Sequence, residues 1–377
     1  MLIGVPTETV PGERRVALVP ETIERLVKSG SSVCVERGAG RSASFDDEAY
    51  ERAGATLASR ADVYAADFIA KVARPSVGEL AAMRPGQTLL AFLSPLGDPA
   101  SVERYAVRGI SALSMDAIPR TTRAQSMDAL SSQGNIAGYK AVLLAAAASP
   151  RFFPMLTTAG GTIKAQKVFV IGAGVAGLQA IATAKRLGAI VSGYDTRAVV
   201  KEQVQSLGAA FVEIDLGIAG EGSGGYARAL SDDEQRAQQR ILARYINTVD
   251  IVITTAAVPG RRAPVLVGED AVRGMRAGSV IVDLAAETGG NCSLTRAGET
   301  LVAHGVTIVG TTNLPATMPY DASVLYSRNV YALLQLIAKD GTLVLDMDDE
   351  IIRGTTLVRS GEIVHEPTKS ALTGSTT

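Results

Sequence analysis

The sequence predicts an α/β protein: two doubly wound, Rossmann-like domains with parallel sheets, joined by long helices, plus a C-terminal β-hairpin arm. Three observations carry that prediction. Short apolar runs of strand length alternate with helical patterns in two separate series. A glycine-rich turn follows the first strand-like run of the second series. A long apolar helical stretch lies between the two series. The chain's 377 residues suit two domains, and 47% apolar residues supply their cores.

The first series opens with a strand at Leu2–Val5, a helix from Pro20 to about Ser29 and a strand at Ser32–Glu36. Further strands are expected at 68–72, 88–93 and 109–113. The apolar helix over 135–148 reads as a connection crossing between domains. Its run from Ala141 to Ala148 falls well short of the roughly 18–20 apolar residues that span a bilayer, so it reads as a buried helix. The second series places strands at 167–171, 190–194, 210–214, 250–254, 279–283 and 306–309. A helix over 322–339 brings the chain back. Residues 1–132 and 320–377 are therefore assigned to one discontinuous α/β domain, and 133–319 to a Rossmann domain with its connecting helix. The β-prone runs at 342–347, 351–358 and 362–365 read as a hairpin or small meander, either a lid on the first domain or an arm reaching a neighbouring subunit. The polar tail at 373–377 is expected to fray.

Composition excludes several classes. A net charge of −1 gives no reason to expect nucleic acid as a partner. Cys34 and Cys292 have no metal or redox spacing and read as buried thiols of a cytosolic protein. The N-terminus lacks the basic segment and apolar run of a signal peptide. No metal-ligand spacing is present, and neither histidine, His304 or His365, sits in a catalytic arrangement.

The glycine turn is the strongest motif. Lys167-Val-Phe-Val-Ile leads into Gly172-Ala-Gly174-Val-Ala-Gly177, and a second apolar run ends at Asp195, 18 residues after the last glycine. Strand, turn, helix and acid together form a unit built for a dinucleotide. Gly172 permits the tight turn, Gly174 leaves room for a pyrophosphate, and Gly177 lets the helix pack against the sheet. The helix start at Val175 and Ala176 offers N–H groups and partial positive charge to phosphate. Asp195 can accept bonds from ribose hydroxyls and would repel a 2′-phosphate, which favours NAD(H) over NADP(H). Arg197 stands two residues on; it either meets a phosphate or lies over the adenine ring. The glycine-rich span 215–226, which ends in Tyr226, reads either as a lid over the nucleotide or as a surface insertion.

A polar segment, Arg120-Thr-Thr-Arg123-Ala-Gln125-Ser126-Met-Asp128-Ala-Leu-Ser131-Ser132-Gln133, precedes the interdomain helix and should line the cleft. Two guanidiniums, a carboxylate and two amides exceed what solubility requires. The plainer reading is a helix-capping segment with an Arg–Asp pair.

This segment, continued by Asn135-Ile-Ala-Gly-Tyr139-Lys, resembles the signature loop of the NAD(H)-binding component, domain I, of proton-translocating nicotinamide nucleotide transhydrogenase. The run after Gly174, and Lys201-Glu-Gln-Val, Gly224-Gly-Tyr-Ala, Ile253-Thr-Thr-Ala and Gly289-Gly-Asn-Cys, resemble it too. The resemblance covers nearly the whole chain. It implies that Arg120, Gln125, Asp128 and Ser131 position the nicotinamide and its ribose. It gives Gly172, Gly174, Val175, Ala176 and Gly177 to the pyrophosphate, and Asp195, Thr196 and Arg197 to the adenosine ribose. Gly225, Tyr226, Gln238 and Ala257 become further nucleotide contacts, and 215–226 a mobile loop.

It further implies a Re/Si-specific transhydrogenase subunit, with NAD(H) bound as substrate, NADP(H) on a partner and no metal. The partners would be a second copy, in a homodimer, and a membrane-embedded proton-channel subunit with its NADP(H)-binding domain. The chain would then be cytoplasmic and attached peripherally to the inner or plasma membrane through them.

The sister family, alanine dehydrogenase, shares the scaffold. Arg15 and Lys71 match its substrate-binding positions, but Ser94 stands where its catalytic histidine belongs, and Glu287 where its aspartate does. A serine cannot handle a proton near neutral pH as an imidazole does. Hydride transfer between two nicotinamides needs no proton-handling group, only two rings held about 3–3.5 Å apart with water excluded. The alternatives are an alanine-dehydrogenase-like enzyme and a non-catalytic NADH-binding module.

Overall fold

Valine, isoleucine and leucine fill both faces of the central strands, the pattern of parallel sheets covered on both sides. The structure is a computed structural model that describes residues 1–214, 231–258, 260–339 and 341–374. The chain divides into two units, Met1–Gln133 with Pro315–Thr377, and Gly134–Leu314. The first division falls inside the helix Ala129–Ala148.

In the first unit an eight-stranded sheet runs in the order Glu362–Ile363, Thr356–Arg359, Ser111–Ser114, Thr88–Ala91, Phe68–Ala70, Leu2–Val5, Ser32–Glu36, Thr56–Ala58. The six strands before the C-terminal pair are parallel and follow the doubly wound order, third-second-first-fourth-fifth-sixth. Ile3, Val5, Phe68 and Leu90 are buried in its core with Tyr326, whose hydroxyl donates to the Lys71 carbonyl at 2.7 Å.

The C-terminal segment corrects the reading of a lid or an outreaching arm. Thr356–Arg359 lies antiparallel to Ser111–Ser114, and Glu362–Ile363 completes a hairpin at the sheet's edge. Leu357 and Val358 are fully buried there. Ser360 and Gly361 turn the hairpin with φ of 49° and 87°, the left-handed pair a two-residue loop requires. Residues 351–355, read as β-prone, belong to the helix Glu350–Thr355, because the Asp349 carboxylate accepts from the N–H groups of Ile351 and Ile352. Only Thr342–Leu343 of the run 342–347 is strand, paired with Ala338–Lys339. Of the tail, 375–377 lie outside the described residues.

The second unit has a seven-stranded sheet in the order Ala210–Phe211, Ile190–Tyr194, Lys167–Ile171, Ile251–Thr254, Val280–Asp283, Val306–Gly310, Thr300–Ala303. The first six are parallel in the doubly wound order, and the last is an antiparallel edge. His304 and Gly305, with φ of 52° and 78°, turn the chain between the final pair. A separate hairpin, Leu156–Thr158 with Gly161–Ile163, is exposed along both strands.

Candidate functional site

The carboxyl ends of parallel strands are where doubly wound sheets bind ligands. In the second unit, Lys167–Ile171 leads into the glycine turn there. Gly172 has φ of 96°, and its N–H donates to the Tyr194 carbonyl at 2.8 Å. A side chain at Gly177 would place its Cβ 1.8 Å from the Gly172 carbonyl oxygen, so the helix Val175–Arg186 sits on the turn itself. Gly174 differs: a Cβ there meets nothing closer than the Arg197 guanidinium at 4.0 Å. Gly174 caps that helix without any side-chain bond to its first N–H groups, so they face the space that Gly174 leaves. Val175 is exposed, Ala176 half-buried.

Asp195 closes the strand Ile190–Tyr194 and is already engaged. Its carboxylate accepts from the Ala173 N–H at 2.8 Å and the Arg197 N–H at 2.9 Å, and from the Arg197 guanidinium at 3.0 and 2.9 Å. Arg197 therefore lies on the acid rather than apart from it. Thr196, between them, is half-buried. Gln238 is buried and donates to the Tyr194 hydroxyl at 2.8 Å, which places its amide beneath the strand end. Ala257 is exposed on the segment after Ile251–Thr254. Gly225, Tyr226 and the span 215–226 lie outside the described residues.

In the first unit Arg120, Gln125, Asp128 and Ser131 line one open depression of about 360 Å³, with Pro119 and Thr122. The segment forms the 3-10 helix Thr122–Met127 and then the start of Ala129–Ala148. Asp128 caps the longer helix, accepting from the Ser131 N–H at 2.9 Å and its hydroxyl at 2.6 Å. Arg123 pairs not with Asp128 but with Asp349, at 2.6 and 2.8 Å. Asn329 fastens the segment from the helix Pro319–Ile337, donating to the Ser126 carbonyl and accepting from Ser132. Capping and a site-lining role thus coexist in one segment.

Arg15 and Lys71 are internal. Lys71 is fully buried between Glu8 at 3.0 Å and Glu79 at 3.1 Å. Burial raises the Glu8 pKa more than Lys71 and the Val72 N–H lower it. Burial also opposes charge on Glu79, but Lys71, with the Ser76 N–H and the Tyr64 hydroxyl, outweighs it and brings that pKa to about 2. Arg15 is held by Glu13 at 2.8 and 2.6 Å and by Gln133 at 2.9 Å. Ser94 has φ of 49°, and its N–H donates to Asp116 at 2.8 Å. Glu287 accepts from the Asn313 N–H. His365 is buried against Thr368, while His304 stands 3.0 Å from Glu269. Both cysteines are buried. Among the described residues no group of His, Cys, Asp and Glu is placed to hold a metal.

Sequence reasoning missed the side chains that support the turn from below. Thr255 donates to the Gly172 carbonyl at 2.9 Å, and Asn291 and Asp283 stand behind it. The signal was available: Asp283 ends an apolar run as Asp195 does.

Comparison with known proteins agrees with this geometry. Residues 4–137 match the alanine dehydrogenase/PNT N-terminal domain, and 141–366 the alanine dehydrogenase/PNT C-terminal domain. The chain is 46% identical to an NAD(P) transhydrogenase subunit alpha chain of Rhodospirillum rubrum, over 99% of each chain. The crystal structure of transhydrogenase from Sinorhizobium meliloti superposes with a TM-score of 0.88 at 43% identity, covering 97% of this chain and 100% of that one. Alanine dehydrogenase of Bacillus subtilis stands further off, at 28% identity over 97% of this chain and 93% of that one.

Proposed function

Because the chain belongs to the alanine dehydrogenase/PNT family, we propose that it is the NAD(H)-binding component of a proton-translocating transhydrogenase, passing hydride from NADH to NADP⁺ held on a partner subunit. NADH is then a substrate at the Gly172–Gly177 turn, with Asp195, Thr196 and Arg197 at its adenosine ribose and Ala257 nearby. Gly225, Tyr226 and Gln238 complete the proposed contacts, Gln238 acting through Tyr194. Arg120, Gln125, Asp128 and Ser131 serve the nicotinamide end.

The observation that carries this reading is the chemistry of the first unit's depression. It presents a guanidinium, an amide and a hydroxyl, and its carboxylate, Asp128, is committed to Ser131. Those groups can hold a carboxamide and a ribose, but they provide no base for a substrate proton. The reaction asks for none. The hydride leaves C4 of one nicotinamide with both electrons and joins C4 of the other, so NADH and NADP⁺ become NAD⁺ and NADPH. The proton path is assigned to a membrane partner, through which this chain is attached to the inner or plasma membrane. Among the described residues no helix is long and apolar enough to cross one.

A homodimer is part of the same proposal. The C-terminal hairpin is built into its own sheet, so support for a dimer comes instead from the exposed hairpin of the second unit and its apolar side chains, Leu156 and Ile163.

Two experiments test the function. Mixed with an NADP(H)-binding transhydrogenase component, the chain should catalyse hydride transfer; reduction of NAD⁺ by alanine with the chain alone would replace this reading with an amino-acid dehydrogenase. NADH binding without any transfer would leave only a binding module. Gln125→Asn should slow transfer at saturating nucleotide by at least about tenfold, around 1.4 kcal/mol, while NADH affinity changes less than threefold. An unchanged rate would remove Gln125 from the site.

A further inference from the structure

Asp283 ends the strand Val280–Asp283 with its carboxylate fully buried, and among the described residues no salt bridge reaches it. Five donors converge on it: Thr254 hydroxyl at 2.9 Å and Ala285 N–H at 3.0 Å on Oδ1, and Asn291 N–H at 2.8 Å, Cys292 N–H at 3.0 Å and Thr295 hydroxyl at 2.7 Å on Oδ2. Only an ionised carboxylate is acceptor at both oxygens; an amide would turn its NH₂ against at least two donors. A buried charge without a cation is expensive, and hydrogen bonds to its charged form are what sustain it.

The residues it fixes lead to the glycine turn. Asn291, held at its backbone by Asp283, accepts from the Ala256 N–H at 3.0 Å and donates to the Ala256 and Pro264 carbonyls, each at 2.8 Å. The neighbouring Thr255 donates to the Gly172 carbonyl at 2.9 Å, the oxygen on which Gly177 rests. Asp283 thus sets Asn291, Asn291 sets the segment at Ala256, and that segment supports the turn on one side and carries Ala257 on the other.

We propose that Asp283 is a positioning residue for dinucleotide binding, acting through Asn291 on the Gly172 turn and on the segment at Ala257. This rests on the proposal that the turn binds NAD(H). A built-in control separates positioning from plain structure. Asp250 is also buried and lies just before Ile251–Thr254, at the amino end of the same sheet, where it accepts from the Lys167 N–H at 2.9 Å and Arg151 at 2.6 Å.

NADH is titrated by its fluorescence well below each variant's unfolding transition. Asp283→Asn and Asn291→Ala should each weaken NADH binding at least tenfold, whereas Asp250→Asn lowers Tm and leaves affinity within twofold of the parent protein. If Asp283→Asn does not fold, Asn291→Ala and Thr295→Val keep the test, the latter with a smaller loss of about threefold. Wild-type affinity in Asn291→Ala, or an equal loss in Asp250→Asn, overturns the proposal. A parent protein that binds no NADH refutes instead the reading of the turn, and the positioning role with it.

Discussion

His365 shows what burial does to one titratable side chain. Desolvation lowers its pKa from 6.5 to about 4, against the raising influence of Asp116 and Glu366. The unfolded chain takes up a proton that the folded chain refuses. Stability is therefore complete above pH 6.5 and is lost as pH falls toward 4. The loss approaches about 3 kcal/mol, or several degrees of Tm. His365→Gln should flatten Tm against pH in that window; curves that stay parallel to the parent's would contradict the assignment. Glu79, brought to about 2 from 4.5, loses its contribution in a separate window below pH 4.5. Sequence pattern identified Arg15 and Lys71 as scaffold groups but not their carboxylate partners. Glu8 lies 63 residues from Lys71 along the chain, and nothing local announces such a pair.

Elements differed in legibility by how they are buried. Strands covered on both faces, Lys167–Ile171 and Ile190–Tyr194 among them, could be bounded to the residue because both faces are apolar. Thr56–Ala58, Thr300–Ala303 and the exposed hairpin at Leu156–Thr158 and Gly161–Ile163 lack such runs and were missed. The β-branched Ile351, Ile352 and Thr355 suggested a strand, but capping by Asp349 and burial of the helix face outweigh propensity. The turn's glycines make a contrast that tests its role. Gly174→Ala meets only open space, so the protein should fold with an unchanged Tm yet bind NADH at least tenfold more weakly. Gly177→Ala forces the helix off the Gly172 carbonyl and should lose both stability and binding. Unaltered NADH affinity in Gly174→Ala would mean that no pyrophosphate uses the turn.

At the scale of the whole molecule, two doubly wound units share one strand order, but only the second carries a glycine turn with its acid. The first offers instead a polar depression whose carboxylate is engaged in capping. That division was legible because the glycine spacing and the Arg120–Ser131 segment are local in sequence. The support of the turn by Asp283 and Asn291 was not, because it is assembled from separate strand ends. One fingerprint implies one nucleotide on this chain and a second nucleotide on another. The most direct test supplies NADH carrying two deuterium atoms at C4 of the nicotinamide, together with NADP⁺ and an NADP(H)-binding transhydrogenase component. The account predicts one deuterium in each NADPH formed, none released to water, and no NADPH when this chain is omitted. Deuterium lost to solvent, or NADPH formed equally well without this chain, would contradict it.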